Sequence, residues 1–128
     1  MNDSPQDASA LKGKTGLTRL RNAAFYSLSG LRTAYKNEAA FRQEVWAAAV
    51  LIPLAFFMPA SGAGKALMIA SVLLVLMVEL LNTAVEALAD RVSQEIHILI
   101  KNAKDIGSAA VMLALIDVVV VWLLVLFG

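Results

Sequence analysis

The sequence predicts an all-α membrane protein with three transmembrane helices behind an N-terminal amphipathic surface helix. Of its 128 residues, 59% are hydrophobic, and a mean hydropathy of +0.72 is too high for a soluble domain of this size. The apolar residues gather in three stretches, 45–60, 66–89 and 106–127. Each, counted with its flanks, comes near the ~20 residues that an α-helix needs to cross a bilayer. Ahead of them, apolar residues recur every three or four positions with basic residues between them, the pattern of a helix with one greasy face.

Residues 1–14 are polar, lack the apolar run of a secretory signal, and read as a disordered lead. From 15 to about 36, Leu17, Leu20, Ala24, Leu28, Leu31 and Tyr35 fall on one face, and Arg19, Arg21, Arg32 and Lys36 serve the polar side. This describes a helix lying in the membrane interface. Such a helix can be a plain anchor or the floor of a site for an amphiphilic substrate, and the pattern alone supports both. Residues 15–128 form one integral-membrane domain, with spans at about 39–60, 64–89 and 105–127. The first contains Pro53 and Pro59, which a span tolerates when neighbouring helices satisfy the freed backbone groups. Pro59 with Ser61, Gly62, Ala63 and Gly64 predicts a tight turn into the second span. The third opens on Gly107, Ser108, Ala109 and Ala110, small residues that let helices approach closely.

Charge placement orients the chain. Lys12, Lys14, Arg19, Arg21, Arg32, Lys36 and Arg42 precede the first span, Lys65 alone sits in the first loop, and Arg91, Lys101 and Lys104 sit in the second. The positive-inside rule puts the N-terminus and second loop in the cytoplasm and the short first loop and C-terminus outside. A net charge of +1 gives no reason to expect a nucleic-acid partner. Cysteine is absent, which removes disulfides, thiolate metal sites and thiol nucleophiles together.

The second span carries the chemistry. Glu79, Asn82, Glu86 and Asp90 are offset by 3, 7 and 11 residues, which at about 100° per residue places them within an arc of about 80°. An acid in hydrocarbon costs on the order of 2.5 kcal/mol or more unless neutralised, paired or metal-bound, so this ladder marks a site. Glu38, Arg42 and Glu44 approach the first span. Packed antiparallel through a short turn, the first two spans bring Glu38 level with Glu86, a two-carboxylate arrangement suited to Mg²⁺ with phosphate oxygens. Lys104 and Asp105 stand at the cytoplasmic mouth of the third span, where a lysine can snorkel or hold phosphate. His97 is the only histidine, so zinc catalysis is not expected. Gly62, Ala63, Gly64 and Lys65 superficially match a phosphate loop, but Pro59 replaces its first glycine, Ala66 its metal-binding hydroxyl, and the turn lies outside.

Taken together, residues 37–44 (NEAAFRQE), 78–86 (VELLNTAVE), 90–91 (DR), 95–97 (EIH) and 103–111 (AKDIGSAAV) resemble the small bacterial integral-membrane diacylglycerol kinases. The resemblance runs in order from about 15 to 127. It implies a homotrimer of three-span subunits in the bacterial inner membrane, phosphorylating diacylglycerol with MgATP to give phosphatidic acid on the cytoplasmic side. By that resemblance Glu79 looks like the general base, and Glu38 and Glu86 match metal-binding carboxylates. Arg19, Tyr26, Glu38, Glu86, Glu95, His97, Lys104 and Asp105 match nucleotide contacts. Arg19, Arg32, Glu44, Glu79 and Ser108 fall near the lipid, with Asn82 and Asp90 in supporting positions.

Glu79 and Glu86 lie seven residues apart, about 10 Å along a straight helix, so the γ-phosphate must bridge them or a neighbouring subunit must contribute. Asp117 departs from an otherwise apolar third span; nine residues from Ser108, it sits about 180° round the helix and is expected to be a protonated or partnered structural residue, with regulation or proton coupling as the alternative. Undecaprenol kinases share the fold and the chemistry and are the nearest alternative. A small ion-coupled transporter subunit is the alternative from another class, because intramembrane acids also line ion paths.

Overall fold

The computed structural model describes residues 15–92 and 97–128. They form four helices: α1 (Thr15–Asn37), α2 (Ala39–Phe57), α3 (Gly62–Val92) and α4 (His97–Phe127). The chain divides into two compact units, at residue 33 within α1.

In the first unit, Leu17, Leu20, Phe25, Leu28 and Leu31 all remain exposed. Their spacing puts Leu17, Leu20, Leu28 and Leu31 on one side of the helix, which thus presents an uncovered apolar stripe. Arg21 stacks over the Phe25 ring, 5.6 Å from its centroid, a cation–π contact at the surface.

The second unit begins with the last turn of α1 and holds the three long helices. Glu38 takes an extended conformation that ends α1 and caps α2. Arg42 secures this elbow by donating from Nη1 to the carbonyls of Tyr35 and Lys36, at 2.7 and 2.9 Å. Those carbonyls belong to the last turn of a helix and have no intrahelical donor, so a cation there satisfies both the hydrogen bonds and the helix dipole. Trp46 Nε1 also donates to the Tyr35 hydroxyl at 3.1 Å.

Helix α3 is central and packs against both α2 and α4. Its buried face runs through Met68, Ser71, Val72, Val75 and Glu79, the spacing of a single helical stripe. On α2 the buried residues Phe41, Ala48 and Ala55 recur every seven positions, which keeps one narrow seam against its neighbour. Small residues on that seam let the backbones approach where lipid offers no hydrophobic drive for helix association. One carbonyl, Met68 O, receives both the Ser71 hydroxyl at 2.7 Å and the Trp122 indole N–H of α4 at 3.2 Å.

The connection between α2 and α3 differs from the expected turn. Gly62, Ala63 and Gly64 are helical rather than loop, because Ser61 Oγ accepts the Gly64 N–H at 3.0 Å and starts α3 at once. The turn is therefore confined to 58–61, and Lys65 Nζ closes it by donating to Phe56 O at 2.8 Å. No glycine among the described residues has positive φ; Gly64 is small because a Cβ would lie 2.9 Å from Val125 Cγ1 on α4.

Helices α2, α3 and α4 are each long and apolar enough to cross a membrane. Helices α3 and α4, 31 residues each, extend about 46 Å, well beyond a hydrocarbon core of about 30 Å. They overrun the expected spans of 64–89 and 105–127 because apolarity marks the lipid-crossing part, whereas hydrogen bonding carries the helix on into polar sequence. On α4, Ala114 is the only buried residue while large side chains such as Leu113, Val119, Leu123 and Leu124 stand exposed, a surface suited to hydrocarbon or to another protein chain.

Candidate active site

Burial falls steadily down the polar face of α3. Glu79 is 6% exposed, Asn82 and Glu86 are half-buried, and Asp90 is exposed. The 11 residues between the first and last of these span about 16 Å of helix, so the ladder runs from the packed interior to the open end of the second unit.

The antiparallel pairing of α2 with α3 supplies two further carboxyl groups. Glu44 and Glu79 lie within electrostatic reach of one another, and Glu79 also feels Glu86 and Glu38. This follows from register: Glu38 precedes Glu44 by six residues as Glu86 follows Glu79 by seven, and on antiparallel helices both offsets run toward the same end. Four acids from two helices thus occupy one region, with Glu38, Glu44 and Glu86 half-buried. So many like charges in a sparsely solvated place repel unless protons or cations balance them.

Two polar atoms there lack hydrogen-bond partners, Glu44 Oε2 and Asn82 Oδ1. Glu44 heads a cleft of about 240 Å³ whose walls come from all three long helices and include Ala48, Leu51, Val75, Leu115 and Val119. A carboxyl group at the head of an apolar cleft suits an amphiphile. Asn82 Nδ2 donates to Glu86 Oε1 at 3.3 Å, so the two middle rungs of the ladder are joined.

Carboxylate oxygens are the donors that Mg²⁺ prefers, and Glu38 and Glu86 both face the charge of Glu79. No three ligating side chains among the described residues converge on one point. Phosphate oxygens and water would therefore complete the shell, the usual way in which Mg²⁺ is held.

At the open end Asp90 Oδ1 pairs with Lys104 Nζ at 2.6 Å. Lys101 Nζ pairs with Asp105 Oδ2, also at 2.6 Å. Lys104 is thus tied to α3, and Asp105 to its own helix four residues back. His97 and Ser108 are exposed on α4, and Asp117 is half-buried further along it. Arg19, Tyr26 and Arg32 are exposed in the first unit, where Thr15, Thr18, Arg19, Asn22, Ala23 and Tyr26 line a recess of about 410 Å³. Glu95 lies outside the described residues.

Two further contacts shape this end of the site. The Lys101–Asp105 pair was legible as an i,i+4 spacing. The contact of Gly107 with Asn82, where a Cβ would collide with Oδ1, is tertiary and left no local signal.

Comparison with known proteins is unambiguous. The family model described as prokaryotic diacylglycerol kinase matches residues 25–126. A diacylglycerol kinase of Pseudomonas aeruginosa is 55% identical over 120 residues, covering 94% of this chain and 98% of that protein. One from Haemophilus influenzae is 53% identical, covering 88% and 96% respectively. One from Escherichia coli K12 is 47% identical, covering 89% and 93%.

Proposed function

This chain belongs to the prokaryotic diacylglycerol kinase family, and from that premise we propose that it transfers the γ-phosphoryl group of ATP directly to the primary hydroxyl of 1,2-diacylglycerol, giving phosphatidic acid. The observation that carries the chemistry is the buried Glu79 carboxyl, within electrostatic reach of Glu44, Glu86 and Glu38.

Glu79 acts as general base. Its carboxylate takes the proton of the lipid hydroxyl as that oxygen bonds to the γ-phosphorus. The bond from the γ-phosphorus to the bridging oxygen breaks, and its electron pair leaves with ADP. Phosphoryl transfer of this kind depends on alignment and charge neutralisation, with no covalent enzyme intermediate required. Glu38 and Glu86 would hold Mg²⁺, whose charge would screen the phosphates. Arg19, Tyr26, Glu95, His97, Lys104 and Asp105 serve the nucleotide together with the two metal carboxylates. Lys104 then exchanges its contact with Asp90 for phosphate oxygens. Glu44, with its unpartnered oxygen above an apolar cleft, helps receive the lipid together with Arg19, Arg32 and Ser108. Asn82 and Asp90 support the ladder.

About 10 Å of helix separates Glu79 from Glu86, and the long helices leave much apolar surface exposed. Both features support a homotrimer in which neighbouring subunits complete each site. The basic residues of the N-terminal segment and second loop support an inner-membrane orientation with the N-terminus in the cytoplasm. Purified protein in detergent micelles, given MgATP with diacylglycerol or with undecaprenol, tests the reading: diacylglycerol is the preferred acceptor. Preference for undecaprenol would replace the substrate, and absence of lipid phosphorylation would remove the proposed reaction.

A further inference from the structure

We propose that Gly107 is a positioning residue for the metal end of the site: its bare Cα leaves the space that the Asn82 carboxamide occupies while it donates to Glu86. The proposal rests on the assignment of Glu86 to Mg²⁺ made above.

A Cβ built on Gly107 would collide with Asn82 Oδ1 and would lie 3.3 Å from Asn82 Cγ. The amide oxygen of α3 therefore occupies the place where any other residue on α4 carries its first side-chain carbon. That oxygen is buried and unpartnered, while Nδ2 of the same group donates to Glu86 Oε1 at 3.3 Å. The two ends of the amide are distinguished by what they face. Reversed, the amide would point its oxygen at a carboxylate and lose the bond, so the observed orientation is the one that serves Glu86. A buried acceptor without a partner is costly and persists where the surroundings hold it. The groove around it is otherwise apolar, formed by Val78, Leu81 and Val85 of α3 with Ala103, Ile106 and Ala110 of α4. No second polar group there takes over the amide.

The colliding atom is the end of a side chain rather than backbone. A methyl group at 107 therefore displaces the Asn82 amide before it separates the helices, and its effect passes to Glu86. Residues that orient a metal ligand from one contact away act on metal affinity, and losing one costs about tenfold or more.

Five proteins test this: wild type, Gly107→Ala, Asn82→Ala, the double variant, and Glu86→Gln as reference. The first readout is the ¹⁵N side-chain amide resonance of Asn82 in metal-free detergent-solubilised protein, assigned by its loss in Asn82→Ala. The second is Mn²⁺ binding followed by electron paramagnetic resonance. The third is the Mg²⁺ concentration that half-saturates lipid phosphorylation. Gly107→Ala is expected to shift the Asn82 resonance, weaken Mn²⁺ binding and raise the Mg²⁺ requirement about tenfold, with the KM for diacylglycerol unchanged. The double variant is expected to match Asn82→Ala, because a methyl group then has no amide to displace.

An unmoved resonance, a wild-type metal dependence in Gly107→Ala, or a double variant whose loss equals the product of the two single losses would each overturn the proposal. So would failure of Gly107→Ala to assemble, whether or not the double variant assembles, since the contact would then be a packing requirement. If Glu86→Gln leaves metal dependence unaltered, the metal reading itself fails, and the resonance alone decides whether Gly107 sets the Asn82 amide.

Discussion

Lys104 Nζ lies 2.6 Å from Asp90 Oδ1, so the lysine expected to meet phosphate is held by the last rung of the α3 ladder. The side chains are 42% and 67% exposed, and an ion pair this open to solvent gives little stability. The proposed nucleotide role of Lys104 requires this pair to open, and its low stability makes that inexpensive. Asp90→Asn should leave the thermal unfolding temperature in detergent nearly unchanged, whereas Lys104→Met should raise the KM for MgATP by roughly tenfold through loss of a charged phosphate contact. Unchanged nucleotide affinity in Lys104→Met would leave the lysine as a surface tether only.

Glu79→Gln keeps the shape of the side chain and removes its ability to take a proton. Turnover should fall by at least about 10²-fold, the usual range for a general base, while equilibrium binding of MgATP stays close to wild type because the base acts on the lipid hydroxyl. Loss of nucleotide binding in this variant would move Glu79 from the acceptor side of the reaction to the donor side.

Glu86→Gln should act on the metal instead. With one carboxylate fewer, the Mg²⁺ concentration for half-maximal rate rises and maximal rate partly recovers at high Mg²⁺. A titration of rate against Mg²⁺ at saturating ATP separates this from Glu79→Gln, which no concentration of metal rescues.

The α3 ladder was legible because its information is periodic: offsets of 3, 7 and 11 residues fix a face whatever surrounds it. The gathering of Glu44, Glu86 and Glu38 within electrostatic reach of Glu79 could be approached from the short turn and antiparallel register alone. Gly62 and Gly64 were harder to read. Glycine signals a turn locally, but the demand that shaped Gly64 is Val125 on a helix some sixty residues later. The same holds for Gly107 against Asn82, and for Asp90 with Lys104. Such pairings depend on how α3 and α4 dock, which apolar stretches specify only as adjacency. The ends of α3 and α4 were blurred for another reason, since hydropathy reports the membrane and not the helix.

The Trp122 tie to Met68 separates architecture from chemistry. Met68 O precedes Glu79 by 11 residues, about 16 Å along α3, and the indole N–H reaches it from α4 at 3.2 Å. Trp122→Phe keeps most of the ring and removes the donor. Interhelical hydrogen bonds of this kind in membrane proteins contribute about 0.6 kcal/mol on average and up to about 1.7, and Met68 O keeps the Ser71 hydroxyl as a donor, so the loss should sit near the lower figure. Denaturant unfolding in micelles should show that small destabilisation, with Mg²⁺ dependence, KM and turnover unchanged. The contrast with Gly107→Ala is the informative part: both sites join α3 to α4, but only the one at Asn82 reaches Glu86. A shift of metal dependence in Trp122→Phe would mean that docking of α3 on α4 anywhere along its length sets the metal site, and the Gly107 effect would then be general packing.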